Sequence, residues 1–204
     1  MPRFVDPEQR KNDILDATVE AIAEGGFPHL TVRSLAKRLG GSSTLVTHYF
    51  ANREELLSAL ADRVLKDAAE KSAELLEISD PDDRLRAVLE WFLPNTPESL
   101  KIERVRIVLV AHKATEPVVA DMSARMEPGM RGLMRQALAE FVDPEDLEGM
   151  VDLLRAWTSG VVLSAVEHPE IWTPERQMQA LDRFVSSLSL PLAARPSAAP
   201  SAAR

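Results

Sequence analysis

Apolar residues recur along this chain at three- and four-residue steps, the period of a helix with one buried face. Ile14, Thr18, Ala21 and Ile22 share a first face, and Val32, Leu35, Ala36 and Leu39 a second. Leu56, Leu57, Leu60, Val64 and Ala68 form another. Later runs carry Leu85, Val88, Leu89 and Phe92; Val119, Met122, Met126, Met130, Leu133 and Met134; Leu147, Val151, Leu154, Trp157 and Val161; and Met178, Leu181, Phe184, Val185 and Leu188. Two-residue alternation is confined to Val105, Ile107 and Leu109 in "ERVRIVLVAH", and its neighbours favour helix. The expected fold class is all-α.

Helix starts are marked by chemistry. "SDPDD", "NTPES", "VDPED" and "WTPER" each place Asp or Thr before Pro, then an acid. The first residue caps free N–H groups, Pro presets φ without losing a bond, and the acid complements the positive helix end. Helices are expected from Pro81, Pro97, Pro144 and Pro174, and from Pro117 in "TEPVV". Asn52 and Glu55 make a capping-box pattern ahead of a helix over 53–72. Pro128 predicts a kink or break within its run. The last residues, "LAARPSAAPSAAR", predict a disordered tail over 190–204.

Residues 31 to 53 carry the most information. Thr31 caps a helix from Val32 to Leu39, Gly40-Gly41 stops it, and Ser42 or Ser43 starts a short helix ending near Tyr49. This is the pattern of a helix-turn-helix, whose second helix enters the DNA major groove. Leu45, Val46 and Phe50 are inward anchors on that helix. Ser43, Thr44, Thr47 and His48 are left outward, short enough for close approach to bases and phosphates. Tyr49 and Arg53 follow where a phenol and a guanidinium suit phosphate oxygens.

Charge sharpens this picture. The 204-residue chain has a net charge of −8, which as a whole repels nucleic acid. Yet after Glu24 no Asp or Glu occurs until Glu54, while the window holds Arg33, Lys37, Arg38, Arg53, His29 and His48. An even spread of the 32 acids would place about 4.5 in those 29 positions. The candidate DNA contacts are Thr31, Arg33, Ser42, Ser43, Thr44, Thr47, His48, Tyr49 and Arg53.

The stretch "ILDATVEAIAEGGFPHLTVRSLAKRLGGSSTLVTHYFANREELL" resembles the N-terminal domain of TetR-family transcriptional regulators. The shared marks are a helix ending in Glu-Gly, a Thr-Val start, a short helix closing on His-Tyr-Phe, and an Asn-Arg-Glu-x-Leu-Leu segment. They cover about residues 10 to 66. This chain departs from the family's usual valine at Gly41, glycine near Thr44 and tyrosine at Thr47. Gly41 removes a buried side chain, so a looser turn is expected, and Thr47 removes one usual phosphate contact. "VTHYF" resembles the branch of choline-responsive regulators of betaine synthesis; five residues carry no ligand over.

The resemblance implies a DNA-binding domain over 1–52, a connecting helix over 53–72, and a helical ligand-binding and dimerisation domain over 73–189. It implies a homodimer on a palindromic operator, released by a small-molecule effector. Candidate effector contacts are Trp91, Phe92, His112, Met122, Met126, Met130 and Trp157, aromatic and flexible side chains with one polar group. The last two long helices, about 144–167 and 174–188, would pair with their twins through Leu147, Leu154, Val161, Phe184 and Leu188.

Other functions fit poorly. Four histidines lack metal-ligand spacing, there is no cysteine, and no nucleophile elbow, phosphate loop or dinucleotide fingerprint occurs. No enzyme activity, metal or cofactor is expected. "MPRFVDPEQRKND" lacks the apolar core of a signal peptide, and no apolar run approaches bilayer length, so a cytoplasmic protein without membrane contact is expected. A helical interaction module that binds no DNA would explain the acidic body but not the acid-free window.

Overall fold

A computed structural model describes residues 6–188; residues 1–5 and the expected tail over 190–204 lie outside the described residues. Every regular element among the described residues is helical. The order is α1 (Pro7–Gly25), a 3-10 turn (Phe27–His29), α2 (Val32–Arg38), α3 (Ser43–Tyr49) and α4 (Arg53–Leu76). There follow α5 (Pro81–Trp91), α6 (Pro97–Ala111), α7 (Pro117–Leu138), α8 (Leu147–Glu167) and α9 (Pro174–Ser187).

The capping residues act as their chemistry predicts. Asp80 accepts from the Asp83 amide at 2.9 Å, and Asn52 from the Glu55 amide at 2.9 Å. Glu55 reaches back to the Ala51 amide at 2.7 Å. Thr96 and Ser99 cap each other at the start of α6. α8 departs from expectation: it starts at Leu147 rather than Pro144. Asp143 to Asp146 instead close a tight turn, in which the Asp146 amide bonds the Asp143 carbonyl at 2.9 Å. α4 runs four residues past its expected end, to Leu76. α7 continues through Pro128, so of the kink or break expected there the break does not occur.

Two apolar cores form. The first gathers Ile14, Ile22, Leu35, Val46, Phe50, Leu56 and Leu60 from the four N-terminal helices (here the head). It also takes Val105 and Leu109 from α6 and Val119 and Met122 from α7. The second gathers Leu85, Leu89, Leu133, Leu138, Val151, Leu154 and Leu181 (the body). At about 1.5 Å per residue, 24-residue α4 is roughly 36 Å long. It places Leu56 and Leu60 in the first core and Leu75 in the second. The head is therefore packed onto the α6–α7 corner rather than hung from α4 alone.

Ion pairs reinforce that seat. Lys101 on α6 bonds Glu20 on α1 at 2.7 Å, Arg125 on α7 bonds Asp62 on α4 at 3.1 Å, and Arg53 pairs with Glu116 at 2.9 Å. The hydrogen bonds that Lys101 donates to the Glu20 and Glu98 carboxylates hold its ammonium well above its usual pKa. Across α7 and α8, Arg135 and Arg131 grip Glu148 and hold its carboxyl down at about 2.

Candidate nucleic-acid interface and effector region

The helix-turn-helix is built as its residues dictate. Thr31 caps α2 by accepting from the Ser34 amide at 3.1 Å, and Ser34 returns the bond to the Thr31 amide at 3.2 Å. α2 ends in a paired closure: the Gly41 amide reaches the Ala36 carbonyl at 3.0 Å, and the Gly40 amide the Lys37 carbonyl at 3.2 Å. That closure needs the left-handed φ of +63° at Gly40, which favours glycine. Gly41 needs no such conformation. Its missing side chain leaves space that Leu45 takes up, its Cδ2 lying 2.8 Å from where a Cβ would stand. The turn is filled by a neighbour, not left open.

Val46 and Phe50 anchor α3 in the first core. Leu45, expected inward with them, is half-exposed because it covers the turn instead. Ser42, Ser43, Thr44, Thr47 and His48 are all exposed, and Arg33 and Lys37 are exposed on α2 beside them. Thr47 turns its hydroxyl to the Ser43 carbonyl at 3.3 Å, a weak bond that a better partner can replace. Ser42 precedes α3 without a side-chain cap, so its hydroxyl is not spent on the helix. Tyr49 is half-buried against the first core, with its ring edge-on to His48 at 5.0 Å.

Two cations of the window are committed elsewhere. Arg38 is paired with Glu24; the hydrogen bond from Arg38 holds the Glu24 carboxyl below its usual range. Arg53 is 43% exposed, pairs with Glu116 at the start of α7, and lies 4.6 Å from the Phe27 ring centre. Phe27 in turn stacks on His112 at 4.4 Å. Neither Glu116 nor Phe27 stood out in the sequence. A carboxylate far along the chain gives no signal of where packing will bring it.

Both sequence matches fall on this architecture. Residues 14–60 match the model for bacterial regulatory proteins of the TetR family, and residues 81–190 the C-terminal domain of BetI-type transcriptional repressors. The chain belongs to the TetR family. A BetI transcriptional regulator from Burkholderia cenocepacia is 27% identical over 169 residues, covering 79% of this chain and 87% of that one. The fold is shared with a transcriptional regulator from Rhodococcus, with a TM-score of 0.78, 24% identity, and 90% and 99% of the two chains covered. It is shared also with a regulator from Saccharomonospora viridis solved in complex with choline, with a TM-score of 0.76, 19% identity, and 88% and 96% covered. This TetR-family chain is a transcriptional regulator, not an enzyme. Among the described residues no group of His, Asp and Glu is placed to hold a metal.

The expected effector contacts of this TetR-family body are not gathered in one place. His112 and Met122 belong to the seat of the head: His112 stacks on Phe27, and Met122 is buried in the first core. The helical spacing of Met122 did not set it apart because α7 serves both cores, with Val119 and Met122 in the first and Leu133 and Met134 in the second. Trp91 and Phe92 meet edge-on at 5.3 Å and pack against the second core. Arg155 lies 5.4 Å from the Phe92 ring centre and pairs with Glu127 at 2.6 Å. Met126 and Met130 are half-buried on α7. Trp157 stacks on Phe184 at 4.3 Å and lines an open groove of about 770 Å³ with Trp172, Arg176 and Arg183.

Two of the five residues expected at the pairing face are spent inside the chain. Leu154 is fully buried and Val161 is 5% exposed, both within the chain's own second core. Leu147, Phe184 and Leu188 are half-buried against the same core. The face that α8 leaves uncovered runs through Leu153 at 43% and Leu163 at 46% exposure, with Ala156 and Gly160 exposed between them and Gly149 exposed one turn before. Spacing alone did not separate the faces because α8 is apolar on both. By length and composition α8 is even apolar enough to cross a membrane, contrary to the expectation that no segment is, and 33% of that window is buried.

Proposed function

We propose that this regulator is a repressor that reads a palindromic operator as a homodimer in the cytoplasm and is released by a small-molecule effector. The exposed hydroxyl and imidazole face of α3, flanked by Arg33 and Lys37 in an acid-free window, carries the DNA reading. Ser43, Thr44, Thr47 and His48 would meet base edges; Thr31, Arg33, Lys37 and Tyr49 would hold phosphates. One short helix reads few base pairs, and a two-fold axis supplies the second.

The uncovered α8 face supports that axis. Leu153, Ala156, Gly160 and Leu163 recur at steps of three and four, and the exposed glycines let two helices approach closely. Apart from the adjoining residues and the surrounding backbone of α8 itself, no atom lies within 4 Å of where a Cβ would stand on Gly149 or Gly160. The matched BetI-type repressor model supports the sign of regulation. The effector would enter the body near Trp91, Phe92, Met126 and Met130. There Arg155, already between Glu127 and Phe92, would have to move for a cation to bind. Choline, which the Saccharomonospora viridis neighbour holds, is the first probe for a thermal shift.

Fluorescence anisotropy with DNA selected by the protein from a random duplex pool tests the DNA reading. Arg33→Ala and Lys37→Ala should each flatten the slope of log affinity against log salt by about 0.9. Thr44→Ala and Thr47→Ala should change which duplex is preferred. Failure to enrich any duplex, with equal weak binding to all DNA, would refute sequence reading by this face.

A further inference from the structure

The acid-free window ends at Arg53, and the fold brings an acid back to that end. Glu116 precedes α7, 23% exposed, with an oxygen 2.9 Å from the Arg53 guanidinium. Its side chain makes no capping bond to α7, so the carboxylate is free to serve the arginine. Arg53 starts α4 directly after the α3 exit, and its guanidinium also lies over Phe27, which His112 of α6 stacks against. His112 is fixed in turn by its Nδ1–H, which donates to the Val108 carbonyl at 2.8 Å. A cation at the edge of the DNA face is thus held by two side chains, Glu116 and Phe27, with His112 backing the Phe27 ring.

We propose that Glu116 competes with operator phosphate for Arg53, so that the α6–α7 corner sets how much of this cation the DNA receives. The competition is chemically symmetric: carboxylate and phosphate oxygens take the same two-donor edge of a guanidinium, and one group cannot satisfy both. At 43% exposure the arginine can turn to either. Glu116 stands directly before the first residue of α7, so a shift of α7 against α4 changes the pair without any contact to DNA. Glu116 is then a positioning residue for DNA binding. This inference rests on the DNA reading above.

A double-mutant cycle tests it, with the selected duplex as probe and the full chain throughout. Glu116→Gln should tighten binding about two- to fivefold, the scale of a part-exposed ion pair. It should also steepen the salt slope by up to about 0.9, one more phosphate contact. Arg53→Ala should weaken binding, and adding Glu116→Gln to it should restore nothing. Glu54→Gln removes the same charge from an exposed position beside Arg53 and should give less than half the gain. Circular dichroism melts identify any variant whose head is unfolded. Three results each overturn the proposal while leaving the DNA reading intact: a Glu116→Gln gain that persists without Arg53, a gain that Glu54→Gln matches, or a loss of affinity in Glu116→Gln. A wild-type chain that selects no duplex overturns both.

Discussion

Leu153 and Leu154 are adjacent on α8, yet the structure assigns them opposite roles. Leu153 is 43% exposed and Leu154 is fully buried. If the α8 face pairs with a second copy, the partner covers what is left of Leu153. A whole leucine side chain is worth about 1.5–3 kcal/mol when buried, so the uncovered share is worth about 1 kcal/mol. The two-fold axis counts it twice, giving about 2 kcal/mol, or roughly a 30-fold rise in dimer Kd for Leu153→Ala. The monomer should keep its melting behaviour. Leu154→Ala instead opens a cavity in the second core, and the chain should lose about 2–5 kcal/mol of folding stability. Sedimentation over a concentration series, paired with chemical denaturation, separates the two effects. An unchanged dimer in Leu153→Ala, or dissociation without loss of stability in Leu154→Ala, would refute this division of the helix.

Two further outcomes follow from local geometry. Gly40→Ala should destabilise the head by about 1–2 kcal/mol, because its φ of +63° crowds any Cβ, whereas Gly41→Ala displaces only the end of Leu45; equal melting of the two variants would contradict this. Arg135 and then Arg131 hold Glu148 at about 2 against the usual 4.5, so the clamp between α7 and α8 stabilises the fold above pH 4.5 and is lost as pH falls through 2. The melting-temperature gap between wild type and Glu148→Gln should therefore be constant above pH 4.5 and narrow below it, and a gap unchanged at pH 3 would count against the clamp.

The sequence by itself determined the elements and the reading head. Prolines behind Asp or Thr started helices because a fixed φ and a capping oxygen act within a few residues, whatever the rest of the chain does. The same locality made Thr31, Gly40 and the exposed face of α3 legible. α8 failed this test at Asp143 to Asp146, where the same pattern closed a turn instead. Tertiary structure alone decided which side of an apolar helix faces inward. It put Leu154 and Val161 in the core and left Leu153 and Leu163 uncovered, because period fixes a helix's stripes but not which stripe meets a neighbour. It also took His112 and Met122 into the seat of the head, and brought Glu116 to Arg53. Residues distant in sequence meet only through packing, and nothing in the residues flanking either of them encodes that contact.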